Sequence, residues 1–369
     1  MAVYIHQLPD WPRFTWQQDQ IAPLLAETRH WQGRLLGKME SLGFNLQAEA
    51  SLQTLTLDVL KSSEIEGELL DAEQVRSSIA RRLAMDIAGL VPADRHVEGI
   101  VEMMLDATQQ YNQPLSEDRL FGWHAALFPT GRSGIHKIVV AAWRNNTKDD
   151  PMQVVSGAMG KEKVHYEAPD ADRLPTEIKQ FINWFNENAT TDAVIKSAIA
   201  HLWFVTIHPF DDGNGRIARA IADMQLARAD RTPLRFYSMS AQIRKERKEY
   251  YDILETTQKG SLDITRWLTW SLQCLDRAIA ATDETIGGVL KKARFWEKHG
   301  ATSLNDRQRT MLNKLLDGFD GKLNTSKWAK ITKTSQDTAL RDIQDLIEKQ
   351  ILVKEAGGGR STSYLINLG

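Results

Sequence analysis

Apolar residues recur at three- and four-residue steps along most of this chain. That period commits it to helices whose stripes must pack on one another. In SLQTLTLDVLKSSEIEG the positions Leu52, Leu55, Val59, Ser62 and Glu66 advance by three, four, three and four, so they share one helix face that Gly67 is placed to end. The same reading predicts helices over Asp94 to Tyr111, Ser116 to Leu127, Thr176 to Glu187, Ala193 to Ile207, Gly213 to Ala229 and Leu262 to roughly Arg294. Long helices joined by short polar loops imply a mainly α core. Between Gly131 and Pro175 the period fails, and Ile135 to Ala142, Gln153 to Ser156 and Lys163 to Tyr166 are short β-prone runs among Gly, Asn, Asp and Pro. A loop with a β-hairpin is expected there, just before the helices that carry the most distinctive residues.

Those residues are HPFDDGNGRIAR, His208 to Arg219. The start of a helix holds about half a positive elementary charge from its aligned peptide dipoles, so Arg216 and Arg219 in the opening turns are out of place unless an anion sits beside them. A Gly-Asn-Gly turn lets backbone approach a ligand closely, and the unpaired N–H groups of the first helical turn make an anion cradle. Two guanidinium forks three residues apart exceed what one phosphate needs. Asp212 would repel a bare phosphate, yet it suits the oxygen ligand of a Mg²⁺ shared between two phosphate groups. The cradle therefore fits a nucleotide polyphosphate. His208, titrating near neutrality beside an activated phosphate, fits a general base for a hydroxyl nucleophile. A metal site built on His208 and Asp212 alone is disfavoured, because no third ligand follows at helical spacing.

HPFDDGNGRIAR resembles the full signature of the Fic family: His, Pro, Phe, any residue, an acid, Gly, Asn, Gly, Arg, and a second Arg three further on. The resemblance spans about Asp94 to Leu290. It implies transfer of AMP from ATP, with Mg²⁺, to a Ser, Thr or Tyr hydroxyl of a target protein, with release of pyrophosphate. It implies His208 as the base, Asp212 as the metal ligand and Phe210 as the anchor of the loop. Gly213, Asn214 and Gly215 are expected to hold the α- and β-phosphates, Arg216 to bind phosphate and Arg219 to take the γ-phosphate. Lys163, Val164 and His165 resemble the family's flap, which pairs with the target segment and lines the nucleotide. Tyr250, Tyr251 and Gln258 stand where the family places adenine contacts, Gln258 departing from the more usual Asn.

SSEIEG resembles the family's inhibitory motif, with Ser62 and Glu66 at its fixed positions. Because Glu66 closes an apolar stripe, a buried carboxylate there would need a cation. The resemblance supplies Arg219, with Glu66 occupying the γ-phosphate position. Removal of AMP from a modified protein, with Glu66 orienting water, is the enzymatic alternative.

Helical patterns at Asp306 to Asp317, Thr325 to Thr332 and Ser335 to Lys349, followed by two β runs around a Gly-rich turn, suggest a winged helix-turn-helix. Asp337, Asp342, Asp345 and Glu348 on the helix from Ser335 to Lys349 oppose docking on phosphate, although Lys327, Lys330, Lys333 and Arg360 suit backbone contacts. Target recruitment or homodimer formation is favoured over DNA binding, and a nucleotide-sensing DNA-binding regulator is the non-enzymatic alternative. The expected division is residues 1–92, an N-terminal helical module with the inhibitory helix; 93–298, a Fic-type catalytic core; and 299–369, the winged helix.

A net charge of −2, with 25% charged residues, excludes a strongly basic nucleic-acid coat. The lone Cys274 cannot form an internal disulfide, and MAVYIHQLPDWPRF lacks the basic stretch and apolar core of a secretion signal, so a cytoplasmic location is expected. Apolar runs such as Ala198 to Val205 fall far short of the roughly 20 residues that cross a bilayer, and no membrane partner is expected.

Overall fold

The computed structural model describes residues 4–85, 87, 89–157, 161, 163–187, 190–316, 318–319, 321–355 and 362–367, with backbone alone described at 283–286 and 289–290. Helices dominate: α1 (Gln18–Glu40), α2 (Phe44–Ile65), α3 (Ala72–Arg82), α4 (Arg95–Gln109), α5 (Glu117–Leu127), α6 (Leu174–Asn186), α7 (Ala193–Ile207), α8 (Asn214–Asp230), α9 (Met239–Lys245), α10 (Arg247–Gln258), α11 (Thr265–His299), α12 (Asp306–Leu316), α13 (Thr325–Ile331) and α14 (Gln336–Glu348). Among the described residues, three two-stranded antiparallel hairpins join them: β1 (Arg132–Ser133) with β2 (His136–Lys137), β3 (Gln153–Ser156) with β4 (Lys163–Glu167), and β5 (Leu352–Lys354) with β6 (Tyr364–Ile366). Of the β-prone run from Ile135 to Ala142, only His136 and Lys137 pair as strand.

Two compact units form, residues 1–83 with 92–282 and residues 84–91 with 283–369. In the first, α7 is apolar on all sides and almost wholly buried, as a helix surrounded by others must be. α8 packs along it, and α2, α4 and α5 pack against α8. The helix starts follow local chemistry. Asp94, Ser116 and Asp192 accept hydrogen bonds from the first free N–H groups of α4, α5 and α7.

A buried polar network fixes α2 against α8. Arg235, 2% exposed, donates to Asp230 at 3.0 Å and to Asp223 at 3.3 Å. Burial and the neighbouring Asp58 of α2 push the Asp223 carboxyl well above its ordinary range. Asp58 also accepts from Ser238 at 2.5 Å and the Ser240 N–H at 3.1 Å. Removing Arg235 would take a buried hydrogen-bonding cation from both Asp223 and Asp230, at a cost of about 3–5 kcal/mol. Arg235→Ala is accordingly expected to lower the urea midpoint of this unit substantially, followed by circular dichroism. A midpoint unchanged from wild type would show that the network carries no net stabilisation.

The second unit packs α12, α13 and α14 with the β5–β6 hairpin around Met311, Leu312, Trp328, Ile343, Leu346 and Leu352. Leu323 bridges to Tyr364, which ties the chain before α13 to the hairpin. One expectation changes here. Asp342 lies on the buried face of α14, accepting from Arg307 at 2.7 and 2.9 Å and from Asn305 at 2.9 Å. Asp345 pairs with Lys349 at 2.6 Å. Neither acid is a free surface charge, so the repulsion expected of this helix toward DNA phosphates is weaker than its composition suggests. Arg360 lies outside the described residues.

Candidate active site

The segment from His208 to Gly213 links α7 to α8, and two left-handed residues bend it sharply. His208 has φ 51° and caps α7, its N–H donating to the Phe204 carbonyl at 3.0 Å. Gly213 has φ 81° and forms the N-cap of α8; a Cβ there would come within 2.9 Å of the Phe128 ring. Between them Asn214 clamps Phe210 from both sides, accepting from its N–H at 3.0 Å and donating to its carbonyl at 2.8 Å. Phe210 is fully buried and stacks on His124 of α5, with ring centroids 4.2 Å apart and planes 6° off parallel. Arg144, 2% exposed, donates to the His208 carbonyl at 2.7 Å from its side chain and to the Pro209 carbonyl at 2.9 Å from its backbone. The loop is thus held at every step without using the His208 ring.

That ring is held in one tautomer. Its Nδ1 lies 3.2 Å from the Val205 carbonyl, which can only accept, so Nδ1 carries the proton and Nε2 keeps its lone pair. Burial pushes the imidazole down to about 4, so it is neutral at physiological pH. His124 is held as the opposite tautomer. The Ala141 N–H donates to its Nδ1 at 3.2 Å, leaving Nε2–H to donate to the Asp212 carbonyl at 3.2 Å. The Asp212 carboxylate accepts from the Gly213 N–H at 2.6 Å through Oδ1, and from the Ser133 hydroxyl through Oδ2.

Arg216 and Arg219 project from the first two turns of α8, where no acidic residue is present. Arg219, 2% exposed, donates from Nη2 to Glu66 Oε1 at 2.7 Å and to the Ser62 carbonyl at 3.0 Å, and from Nε to the Ser62 hydroxyl at 2.9 Å. Its Nη1 is buried without a partner, as is Nε of Arg216. Such unspent donors are costly unless something anionic meets them. Glu66 is the C-cap of α2, and its side chain is 33% exposed, not enclosed as the apolar stripe predicted. The helix ends one residue early, so the burial falls on Arg219 instead. A Cβ at Gly215 would overlap Glu66 Oε1, so the carboxylate lies directly on the first turn of α8.

The remaining expected residues are placed as follows. Tyr251 donates to Glu66 Oε2 at 3.4 Å. Tyr250 and Gln258 are buried, Tyr250 with its hydroxyl 2.9 Å from His201 Nε2 and Gln258 donating to Thr206 Oγ1 at 3.2 Å. Lys163, Val164 and His165 lie on β4, with Val164 partly exposed opposite Val155. His165 Nδ1 lies 2.6 Å from Glu255 Oε2 and so ties the hairpin to α10. Sequence reasoning missed Arg144, His124, Ser133 and Glu68. The first three reach the loop only through tertiary contacts, but Glu68 carried a signal: it stands two residues beyond Glu66, as a second acid for a second arginine.

Comparison with known proteins bears on the family and the fold. Residues 114–226 match the model of the Fic/DOC family, and residues 4–85 match a domain of unknown function, DUF4172. A protein adenylyltransferase Fic of Aedes aegypti is 27% identical over 227 residues, covering 60% of this chain and 40% of the relative. A probable protein adenylyltransferase of Aquifex aeolicus is 28% identical over 116 residues, 31% of this chain and 34% of the relative. The chain therefore spans well under half the length of these relatives. The crystal structure of a Fic family protein from Desulfovibrio desulfuricans G20 superposes with a TM-score of 0.53 at 21% identity, covering 96% of this chain and 98% of that one, which establishes a shared fold.

Proposed function

Because residues 114–226 carry a Fic/DOC domain, we propose that this chain is a protein adenylyltransferase, moving AMP from ATP to a Ser, Thr or Tyr hydroxyl of a target protein, and of itself, under restraint by Glu66. The observation that carries the reading is the pairing of a lone-pair-bearing His208 Nε2 with two buried arginines that keep unpartnered donors at a helix N-terminus. The target hydroxyl oxygen attacks the α-phosphorus while its proton passes to His208 Nε2. The bond to the bridging oxygen breaks, and pyrophosphate leaves against Arg216 and Arg219. The N–H groups at the start of α8, around Gly213, Asn214 and Gly215, hold phosphate oxygens.

Asp212 is half-buried, and among the described residues no cluster of three or more His, Cys, Asp or Glu side chains is present that would hold a metal alone. A lone carboxylate fits a Mg²⁺ held mainly by phosphate oxygens and water. That ion, when bound, would offset polyphosphate charge; Ser133 and the Gly213 N–H keep Asp212 turned to meet it. The β3–β4 hairpin, with Lys163, Val164 and His165, is the surface offered to the target segment. Tyr250, Tyr251 and Gln258 are the proposed adenine wall.

The proposed modules are residues 1–92, 93–298 and 299–369, the last recruiting the target or a second copy. Among the described residues no helix is long and apolar enough to cross a membrane, and the proposed site of action is the cytoplasm. Intact-mass analysis of wild type and Glu66→Gly, incubated with ATP and Mg²⁺, tests the reading. A gain of one adenylyl group is expected. Its absence from both proteins and from every bait offered, together with release of AMP from a modified protein, would favour removal instead.

A pH profile tests the base separately. A general base works only when unprotonated, and a pKa lowered to about 4 keeps His208 competent well below neutrality. The acid limb of kcat/KM is expected to centre near 4, not at the ordinary 6.5. A limb at 6 to 7 would assign the proton transfer to another group.

A further inference from the structure

The other arginine of α8 is also occupied, by a different acid. Arg216 Nη1 donates to Glu68 Oε2 at 2.9 Å, and its guanidinium lies 5.1 Å from the centre of the Phe128 ring. The other oxygen of Glu68 pairs with His96 Nε2 at the start of α4. The geometry of the turn explains why both arginines are met at once. The Glu68 N–H donates to the Ser63 carbonyl at 3.0 Å and the Gly67 N–H to the Glu64 carbonyl at 3.1 Å, with Gly67 at φ 86°. These two bonds around a left-handed residue are the Schellman closure of a helix end, and they fix the backbone on either side of Gly67 relative to α2.

We propose that Glu68 is a second, separate arm of the lock: the three residues from Glu66 to Glu68 place one carboxylate on each phosphate-binding arginine, so the turn imitates a polyphosphate across the whole cradle. This rests on the reading of the cradle as a nucleotide site, and it assigns the two arms different competitors. Glu66 on Arg219 opposes the terminal phosphate of ATP. Glu68 on Arg216, closer to the glycine turn, opposes the inner phosphates and therefore any nucleoside diphosphate as well. Arg216 is 7% exposed and Glu68 34%, so the pair is partly screened and its removal has a moderate effect.

The test is calorimetric binding of ATP and of ADP, each with Mg²⁺, to wild type, Glu66→Gly, Glu68→Gln, Glu68→Ala and the double variant Glu66→Gly/Glu68→Ala. Both Glu68 variants are expected to tighten ADP about 3- to 10-fold, with Glu66→Gly leaving ADP within about 2-fold and tightening ATP. The double variant should bind ATP more tightly than either single variant. If the Glu68 variants bind both nucleotides as wild type does while Glu66→Gly gains affinity for ATP, the second arm is refuted and the first stands. If no variant and not the wild type binds either nucleotide, the nucleotide site itself is refuted. Unchanged thermal midpoints keep a merely structural role for Glu68 apart from these outcomes; a lowered midpoint with unaltered ADP affinity would assign it that structural role and overturn the proposal.

Discussion

His208→Ala is expected to cut AMP transfer by about 10²- to 10⁴-fold while leaving ATP affinity within about 3-fold of the parent, the range a positioned general base contributes. The separation of the two effects follows from the loop. The left-handed backbone at His208 is held by the Phe204 carbonyl, Arg144 and the Asn214 clamp, none of which touches the imidazole. The cradle of Gly213 to Arg219 therefore keeps its shape when the ring is lost. Alanine tolerates φ 51° poorly, so His208→Asn is the companion variant, because asparagine accepts that backbone region and cannot serve as a base near neutrality. Transfer is measured with labelled ATP in the Glu66→Gly background and binding by calorimetry. Either variant retaining more than about a tenth of the parental rate would move the base elsewhere.

What could be read from the chain depended on whether the information was local. α4, α5 and α6 were legible within a residue or two because each joins a capping Asp or Ser, or an early Pro, to a periodic stripe, and α7 because Asp192 caps a long apolar run. α1, with Pro23 inside it, and the short α3, α9 and α10 were not read as helices, because their narrow apolar stripes are interleaved with many polar and charged residues. The chemistry of His208 to Arg219 was legible because cations at a helix start are anomalous by themselves. The residues that aim this chemistry were not: Ser133 and Arg144 reach the loop from a segment with no period and His124 from the neighbouring α5, and only the fold brings them there. Two acids were misplaced for opposite reasons. Glu66 continued an apolar spacing but falls just beyond the helix end, so its side chain is one-third exposed. Asp342 was counted by its charge, although it shares one face with Ala339, Ile343 and Leu346, and that spacing does predict a buried carboxylate needing a cation such as Arg307.

The lock predicts a gain of function, which is harder to obtain by accident than a loss. Glu66→Gly is expected to raise the initial rate of AMP transfer about 5- to 150-fold, with Glu66→Gln intermediate. A hydrogen bond to a charged group contributes about 1.5–3 kcal/mol, and screening of the 33% exposed Glu66 side chain extends the low end of that range, which leaves about 1–3 kcal/mol to block productive binding. Removing the carboxylate does not release its partner. Arg219 keeps its bonds to the Ser62 hydroxyl and carbonyl, so the guanidinium stays in place with Nη1 unpaired and Nη2 short of one of its two bonds in a buried site. Only an anion from solution restores what was lost, and the terminal phosphate of ATP is the one that also delivers substrate. Glutamine keeps a carbonyl oxygen for Arg219 without the charge, hence the intermediate rate. Measured as adenylyl incorporation per minute at saturating Mg²⁺, a Glu66→Gly rate equal to or below wild type would overturn the lock. If that loss were joined by loss of AMP release from a modified target, Glu66 would instead be a catalytic residue of the removal reaction, orienting the water that its exposed oxygen can reach.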